Sequence, residues 1–236
     1  SAVPVGPTPA PSWGGDADLP RVGLFEIPNS SRGFESAGQT RYVFENMWRL
    51  PYRSVTADQI VSGLKNLDVL VVPDGYSNYA MQALGSTGKR ALKNWVADGG
   101  RFVGWQGGTR VAIKAGLSSA TLTGTHANAP GTLIRTTLDA DSPLAAGVGS
   151  TVWVMYDNND TMTSRYSVGE FPAPGSNDFA TSGLAEGIDQ LSGTGIVADE
   201  PLRAGRVVTF AIDPNFENPY TDRLSLTWER EVMPYT

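Results

Sequence analysis

The stretch Arg101 to Arg110, RFVGWQGGTR, constrains this chain more than any other. A β-prone run (Arg101, Phe102, Val103) meets the five residues Gly104-Trp105-Gln106-Gly107-Gly108, and a helix-compatible segment, Arg110 to Leu117, follows at once. Strand, tight glycine-flanked turn and helix are the geometry of a nucleophile elbow, in which glycines permit the sharp turn that lifts the central side chain above a sheet. Here the central side chain is Gln106. An amide hydrogen-bonds but is neither nucleophile nor base, so this elbow cannot form an acyl-enzyme.

The residues before the elbow alternate between strand-length apolar runs and helical patterns. Arg21 to Ile27 (RVGLFEI) predicts a buried parallel strand, followed by a loop over Asn29 to Gly33. Glu35 to Leu50 places Tyr42, Val43, Phe44, Met47 and Trp48 at helical spacings, and Pro51 ends that helix. Tyr52 to Val55 is a short strand. Thr56 then caps a helix from Ala57 to Asn66 whose apolar face is Ile60, Val61 and Leu64. Leu67 to Val72 is a second buried strand, closed by Pro73-Asp74-Gly75, and Ser86 opens a helix through Asp98 with Leu92, Trp95 and Val96 facing inward. Strands alternating with helices over this length predict a doubly wound, mainly parallel sheet, with ligands beyond the carboxyl ends of its strands. Those ends carry Glu26, Asp74 and Gln106.

After Thr123 the texture changes. Thr132 to Leu138 and Thr151 to Tyr156 alternate as half-exposed strands do, and Arg165 to Phe171, Asp178 to Thr181 and Gly195 to Ala198 are further short strand candidates. They predict an antiparallel β extension beside the main sheet, over about residues 124–205. Arg206 to Ile212 returns to the core, Asp213-Pro214-Asn215 follows, and Thr221 to Met233 closes the chain as a helix.

Composition removes whole classes of chemistry. The chain has no cysteine and one histidine, His126. A zinc hydrolase needs several imidazoles, and a Ser-His-Asp triad needs one facing a nucleophile that the sequence does not identify. A net charge of −6 argues against a nucleic-acid surface, and no apolar run approaches the roughly 20 residues of a membrane span. Residues 1–19, opening SAVPVGPTPAPSWGG with four prolines, read as an extended linker or as a disordered tail or cloning remnant, with one domain over residues 20–236.

The candidate site residues each carry two readings. Gln106 either hydrogen-bonds a ligand at the strand ends or ties neighbouring loops together. Glu26 either pairs with Gln106 to hold an amide or hydroxyl, or is a solvated carboxylate. Asp74 is a site residue or a turn residue. Asp213 and Asn215, flanking a proline at a strand end, line the same pocket or cap a turn. Trp105 is expected to be accessible, with Trp13, and to form a pocket wall, whereas Trp48, Trp95, Trp153 and Trp228 read as core. Asp157-Asn158-Asn159-Asp160 offers oxygen ligands of the kind calcium takes, but without the spacing of an EF-hand loop it reads as a turn.

The combination resembles the class I glutamine amidotransferase-like superfamily, with GWQGG where those enzymes carry G-x-C-x-G and Asp213-Pro214-Asn215 where they carry H-P-E. On this resemblance Gln106 replaces the cysteine, Asp213 the histidine and Asn215 the glutamate. A closer resemblance covers nearly the whole chain. VLVVPDGY, ALGSTGKRALKNWVADGGRFVGWQGG, SPLAAGV and AGRVVTFAIDPNF are similar to the amidotransferase-like domain that follows the catalytic domain in some bacterial secreted zinc carboxypeptidases. It implies a flavodoxin-like α/β fold, an extracellular location, a preceding peptidase domain in the same polypeptide, and zinc held by that domain, with no cofactor, metal or catalytic residue in this chain. The alternatives are a free-standing module that binds a small polar ligand, a sugar or a peptide fragment, above Gln106, Glu26 and Asp213, and a hydrolase built on His126 or an acid pair.

Overall fold

The computed structural model describes residues 19–28, 31–157, 159–175, 179 and 181–215. The chain runs β1 (Val22–Leu24), α1 (Ser31–Tyr42) with a π-helical continuation over Val43–Trp48, β2 (Tyr52–Ser54), α2 (Ala57–Ser62), β3 (Val69–Val72), α3 (Ser77–Ala97), β4 (Arg101–Trp105) and α4 (Gly107–Lys114). Eight strands follow: β5 (Thr121–Thr123), β6 (Thr132–Leu138), β7 (Thr151–Tyr156), β8 (Thr161–Thr163), β9 (Ser167–Glu170), β10 (Thr181–Ser182), β11 (Gly195–Leu202) and β12 (Gly205–Phe210).

The strands β2-β1-β3-β4-β12 are parallel and adjacent in that order. This is the 2-1-3-4-5 arrangement of a flavodoxin-like sheet, with β12 as the fifth core strand. The predicted extension does not lie beside this sheet but continues it. β11 pairs antiparallel with β12, β9 with β11 and β6 with β9, while β7 and β10 flank β6, and β8 and β5 branch from β11. A bidentate pair from the Arg21 guanidinium to Asp68, at 2.7 and 3.0 Å, ties the entry of β1 to that of β3.

Alternation along the parallel strands builds a core on each face. Leu70, Val72, Phe102 and Val207 meet Ile60, Leu84, Leu92, Val96 and Val111 of α2, α3 and α4. Leu24, Val71, Trp105 and Phe210 meet Val43 and Phe44, and share one cluster with Ile134, Val154, Tyr156 and Ile196 of the extension. The second cluster explains why the extension is welded to the sheet: its strands and the parallel strands bury the same apolar surface.

Several local expectations are corrected. Helix α1 begins at Ser31, inside the expected loop, because its buried face is Ser36, Ala37 and Thr40, small residues that leave no apolar period to read. Its last turn is π-helical and closes on Arg49 in the left-handed region (φ 51°). The expected capping by Thr56 is present as a full capping box with Gln59, but α2 stops at Ser62 because Gly63 turns to φ 96°, and Val61 faces solvent. Helix α3 begins at Ser77, nine residues before the expected start, and passes through non-helical backbone at Gly85. Strands β5 and β8 are additions to the expected set. Trp48 and Trp95 pack half-buried against the core, and Trp153 is also half-buried. Trp13, Trp228 and the helix expected over Thr221 to Met233 lie outside the described residues. Among the described residues, no helix is long and apolar enough to cross a membrane.

Helix α4 also starts earlier than expected, at Gly107, because it packs directly on the end of β3. A methyl group at Gly108 would stand 1.9 Å from the Val72 carbonyl oxygen, which is backbone and cannot move aside. In α1, by contrast, a methyl at Gly38 would meet nothing within 4 Å. Gly108→Ala is therefore expected to lose about 3 kcal/mol or more, whereas Gly38→Ala gains roughly 0.5–1 kcal/mol through helix propensity. Urea unfolding of both variants checks this; a change of the same sign in the two would contradict the packing described here.

Candidate functional site

The elbow forms as the sequence predicts, and its backbone is strained. Gln106 adopts φ 48° and ψ −104°, a conformation that residues with a side chain rarely occupy. Its N–H donates to the Phe210 carbonyl of β12 at 3.0 Å, and its own carbonyl accepts the Arg110 N–H at 3.0 Å. The Thr109 hydroxyl lies 2.9 Å from the Gly104 carbonyl and 2.8 Å from that of Phe210, stapling the turn to both strands. The Gln106 amide makes no capping bond to the helix and lines a cleft instead.

Asp74 closes the other side of the elbow. Its Oδ1 accepts the Gly75 N–H and the Gly107 N–H, each at 2.7 Å. Gly107 follows the central elbow residue, so its N–H is the donor that in a hydrolase of this geometry would face a developing oxyanion. Here a carboxylate of the chain itself occupies it.

A buried hydroxyl joins this loop to the rest of the fold. The Ser36 Oγ, on α1, donates to Asp213 Oδ2 at 2.6 Å and accepts the Trp105 indole N–H at 2.9 Å and the Asp74 backbone N–H at 3.1 Å. One proton given and two accepted use the full capacity of a hydroxyl. Asp213 Oδ1 accepts the Asn215 N–H at 2.8 Å, so both of its oxygens face donors. Trp105 is only 2% exposed and does not line the cleft, which overturns the expectation of an accessible indole. In a sheet covered on both faces, proximity to the elbow carries no exposure. Asp213 and Asn215 are likewise buried, as turn and network residues, and neither lines the cleft.

The cleft, of about 230 Å³, lies between three loops. Asp74 to Asn78 enter from the β3–α3 connection, Gln106, Gly107 and Arg110 from the elbow, and Asp157, Asn159 and Asp160 from the β7–β8 connection. Arg110 pairs with Asp160, which locks the extension to the elbow helix. Lys114 donates to Ser77 Oγ at 2.8 Å and Asn78 Oδ1 at 2.6 Å. In the described part of the Asp157–Asp160 run, which excludes Asn158, Asp157 Oδ1 accepts the Gly131 N–H at 3.2 Å and the Asp157 N–H donates to Asn159 Oδ1 at 3.1 Å. Among the described residues, no three of His, Cys, Asp and Glu are grouped to hold a metal.

Of the sequence candidates, the cleft thus unites Gln106 and Asp74. Glu26 is paired at 2.6 Å with Arg41 of α1 and does not line the cleft. His126, in the loop before β6, gives its backbone N–H to Gln190 Oε1 at 3.0 Å and is also outside it. The sequence reading missed Ser36, Tyr76, Asn78 and Arg110. Tyr76 and Asn78 were within reach of it, since they closely follow the carboxyl end of β3; a serine inside a helix gives no such signal.

Burial pushes the Asp213 carboxyl up to about 7 from the ordinary value of 3.8; the hydrogen bonds from Ser36 and Asn215 oppose the rise, and the charge of Asp74 adds to it. Because the folded value lies above the unfolded one, the unfolded chain releases this proton first as pH rises. The contribution to stability is complete below about pH 4 and is lost as pH climbs to about 7, on the order of 4 kcal/mol in all. The stability difference between the native chain and Asp213→Asn should change across this window, in the direction that disfavours the native chain at higher pH. Denaturant unfolding from pH 4 to 8 tests it, and parallel curves for the two proteins would refute it.

No family model matches the sequence, and no curated protein matches it. Solved structures do match. A cytoplasmic protein from Salmonella typhimurium LT2 aligns over 90% of this chain and 95% of its own, with 12% identity and a TM-score of 0.59. A putative GMP synthase subunit from Thermoplasma acidophilum aligns over 90% and 93%, with 13% identity and a TM-score of 0.52, and PurLQS from Thermotoga maritima over 87% and 91%, with 13% identity and a TM-score of 0.54. The β-galactosidase from Bacillus circulans sp. alkalophilus matches 81% of this chain, with 12% identity and a TM-score of 0.52, but this chain spans only 28% of its length. At these identities the likeness is one of fold, and the fold of the chain is glutamine-amidotransferase-like.

Proposed function

We propose that this chain is a non-catalytic, amidotransferase-like accessory domain of a secreted zinc carboxypeptidase-like protein, serving the packing, stability or substrate recognition of a preceding peptidase domain. One observation carries the non-catalytic part: at the elbow, an amide stands in the nucleophile's place and the Asp74 carboxylate holds the Gly107 N–H. Neither group that acyl transfer needs there, a nucleophile and an open oxyanion donor, is available. The place of the base is taken by Asp213, which is buried and bonded to Ser36. The parent-enzyme part rests on the similarity of VLVVPDGY, the long segment around the elbow and AGRVVTFAIDPNF to the domain that follows such peptidases. The β-galactosidase match supports it in kind, since the same fold occurs there as a fraction of a longer chain. Zinc belongs to the peptidase domain in this reading; a chain with one histidine and no cysteine offers it little.

A second reading, a free-standing module for a small polar ligand, is favoured by the polar cleft beside Gln106. The native protein separates the two. An intact mass well above 25.1 kDa with about one zinc bound is expected of the accessory domain, and a zinc-free species of 25.1 kDa identifies the free module.

The elbow itself is tested by Gln106→Cys. Because Asp74 occupies the Gly107 N–H and no imidazole stands at position 213, the variant should hydrolyse glutamine no faster than buffer. A clear glutaminase activity in it, or in the native chain, would overturn the non-catalytic assignment.

A further inference from the structure

We infer that the elbow cleft is a binding site for a single ring of a neutral saccharide, an assignment that stands whether or not a peptidase domain precedes this chain. The lining selects by what it rejects and by what it offers. An anion is rejected twice. The Gly107 N–H, at the start of α4, and the Gly75 N–H, in the β3–α3 connection, are already held by Asp74 Oδ1 at 2.7 Å each. An incoming anion would also meet Asp74, Asp157 and Asp160 against two cations, Arg110, which is paired with Asp160, and Lys114 behind the lining, which is bonded to Ser77 and Asn78. An apolar ligand is rejected because it would strip water from carboxylates and amides without replacing their hydrogen bonds.

What the cleft offers is a mixture of donors and acceptors on planar side chains. Gln106, raised on a strained backbone, presents an amide with both functions. Asn78 is oriented by its neighbour: an ammonium can only donate, so Lys114 takes Asn78 Oδ1 at 2.6 Å and leaves the Nδ2–H donors for a ligand. The Asp157 carboxylate, whose Oδ1 accepts the Gly131 N–H, adds acceptor capacity to the lining. A cationic ligand would use the acceptors and waste the amide donors. A sugar hydroxyl is both donor and acceptor, and a ring of them uses the whole inventory.

The remaining feature is aromatic. Tyr76 lines the cleft yet is 50% exposed, and Tyr79 braces it edge-on, with ring centroids 6.0 Å apart and planes at 87°. An exposed ring with an edge-on aromatic neighbour beside a polar cleft is a platform for the C–H face of a pyranose, which is apolar while its rim is not. The size agrees: about 230 Å³ lies below the range for drug-sized ligands and suits one ring.

The test uses glucose, galactose, mannose and N-acetylglucosamine as probes, with glutamate and lysine amide as charged controls, read by calorimetry and by ligand-detected NMR. At least one sugar is expected to bind with a Kd on the order of 1 mM, the expectation for about 12 heavy atoms at ordinary ligand efficiency. Gln106→Ala should weaken it about tenfold. Tyr76→Ala, at a half-exposed position where misfolding is not at issue, should also weaken it severalfold, and Leu184→Ala, outside the cleft, should not. Circular dichroism confirms that each variant is folded. No binding of any of the four sugars, tighter binding of either charged control, or sugar binding unchanged in both Gln106→Ala and Tyr76→Ala would each overturn the assignment. None of these outcomes alters the zinc content or mass of the native protein, so failure here is distinguishable from failure of the accessory-domain reading.

Discussion

The Ser36 hydroxyl is the point on which the elbow side of this fold depends. Through one oxygen it joins α1 to the ends of β3, β4 and β12, by way of the Asp74 N–H, the Trp105 indole and the Asp213 carboxylate. A doubly wound sheet brings the carboxyl ends of its central strands together, and their connections leave polar backbone and side-chain groups facing inward. Each such group left unpaired costs about 1–3 kcal/mol. Ser36 pairs three of them at once, and with its capacity filled it fixes their relative positions rather than merely solvating them.

The network also decides what the elbow can do. Ser36 holds the Asp74 backbone, the Asp74 side chain holds the Gly107 N–H, and Arg110, one turn into the same helix, holds Asp160 of the extension. The elbow is thus tied on both sides, to the parallel core and to the antiparallel half of the sheet. Asp213, in the position where the superfamily resemblance places a base, is drawn away from the cleft into this network. The same residues that would have to be free for acyl transfer are the ones that hold the sheet ends together.

Legibility of all this in the sequence follows the physics of each signal. Strands β6 and β7 are readable to the residue because one face is buried and the other is not, so the alternation is clean. The α2 cap is readable because Thr56 and Gln59 form a local box that needs no tertiary context. Ser36 is not, because a buried face of serine, alanine and threonine has no apolar period. Strands β5 and β8 are not, because Thr121–Thr123 and Thr161–Thr163 are three residues each and are strands only through their partners. Trp105 misleads because adjacency to a turn is not adjacency to solvent. The cleft is half legible: Gln106 and Asp74 come from strand ends, which topology identifies, whereas Asp157 and Asn159 arrive from an insertion whose path no local pattern encodes.

An elbow is commonly read as the mark of a catalytic site, but its geometry in this chain has a packing origin. A side chain at φ 48° costs about 1–3 kcal/mol and persists only where the surroundings overdetermine it. Here packing and hydrogen bonds do so. A methyl at Gly107 would stand 1.8 Å from the Gly75 carbonyl oxygen, and one at Gly108 1.9 Å from that of Val72, so the helix can approach β3 this closely only with glycine at both places. The Gln106 N–H and the Thr109 hydroxyl then fasten the turn to β12. The strained turn carries the chain from β4 into a helix packed against β3, and that geometric demand does not depend on which side chain stands at position 106. What the elbow retains is the consequence of the strain: one side chain raised out of the sheet into a polar cleft, where an amide can bind a ligand although it cannot attack one.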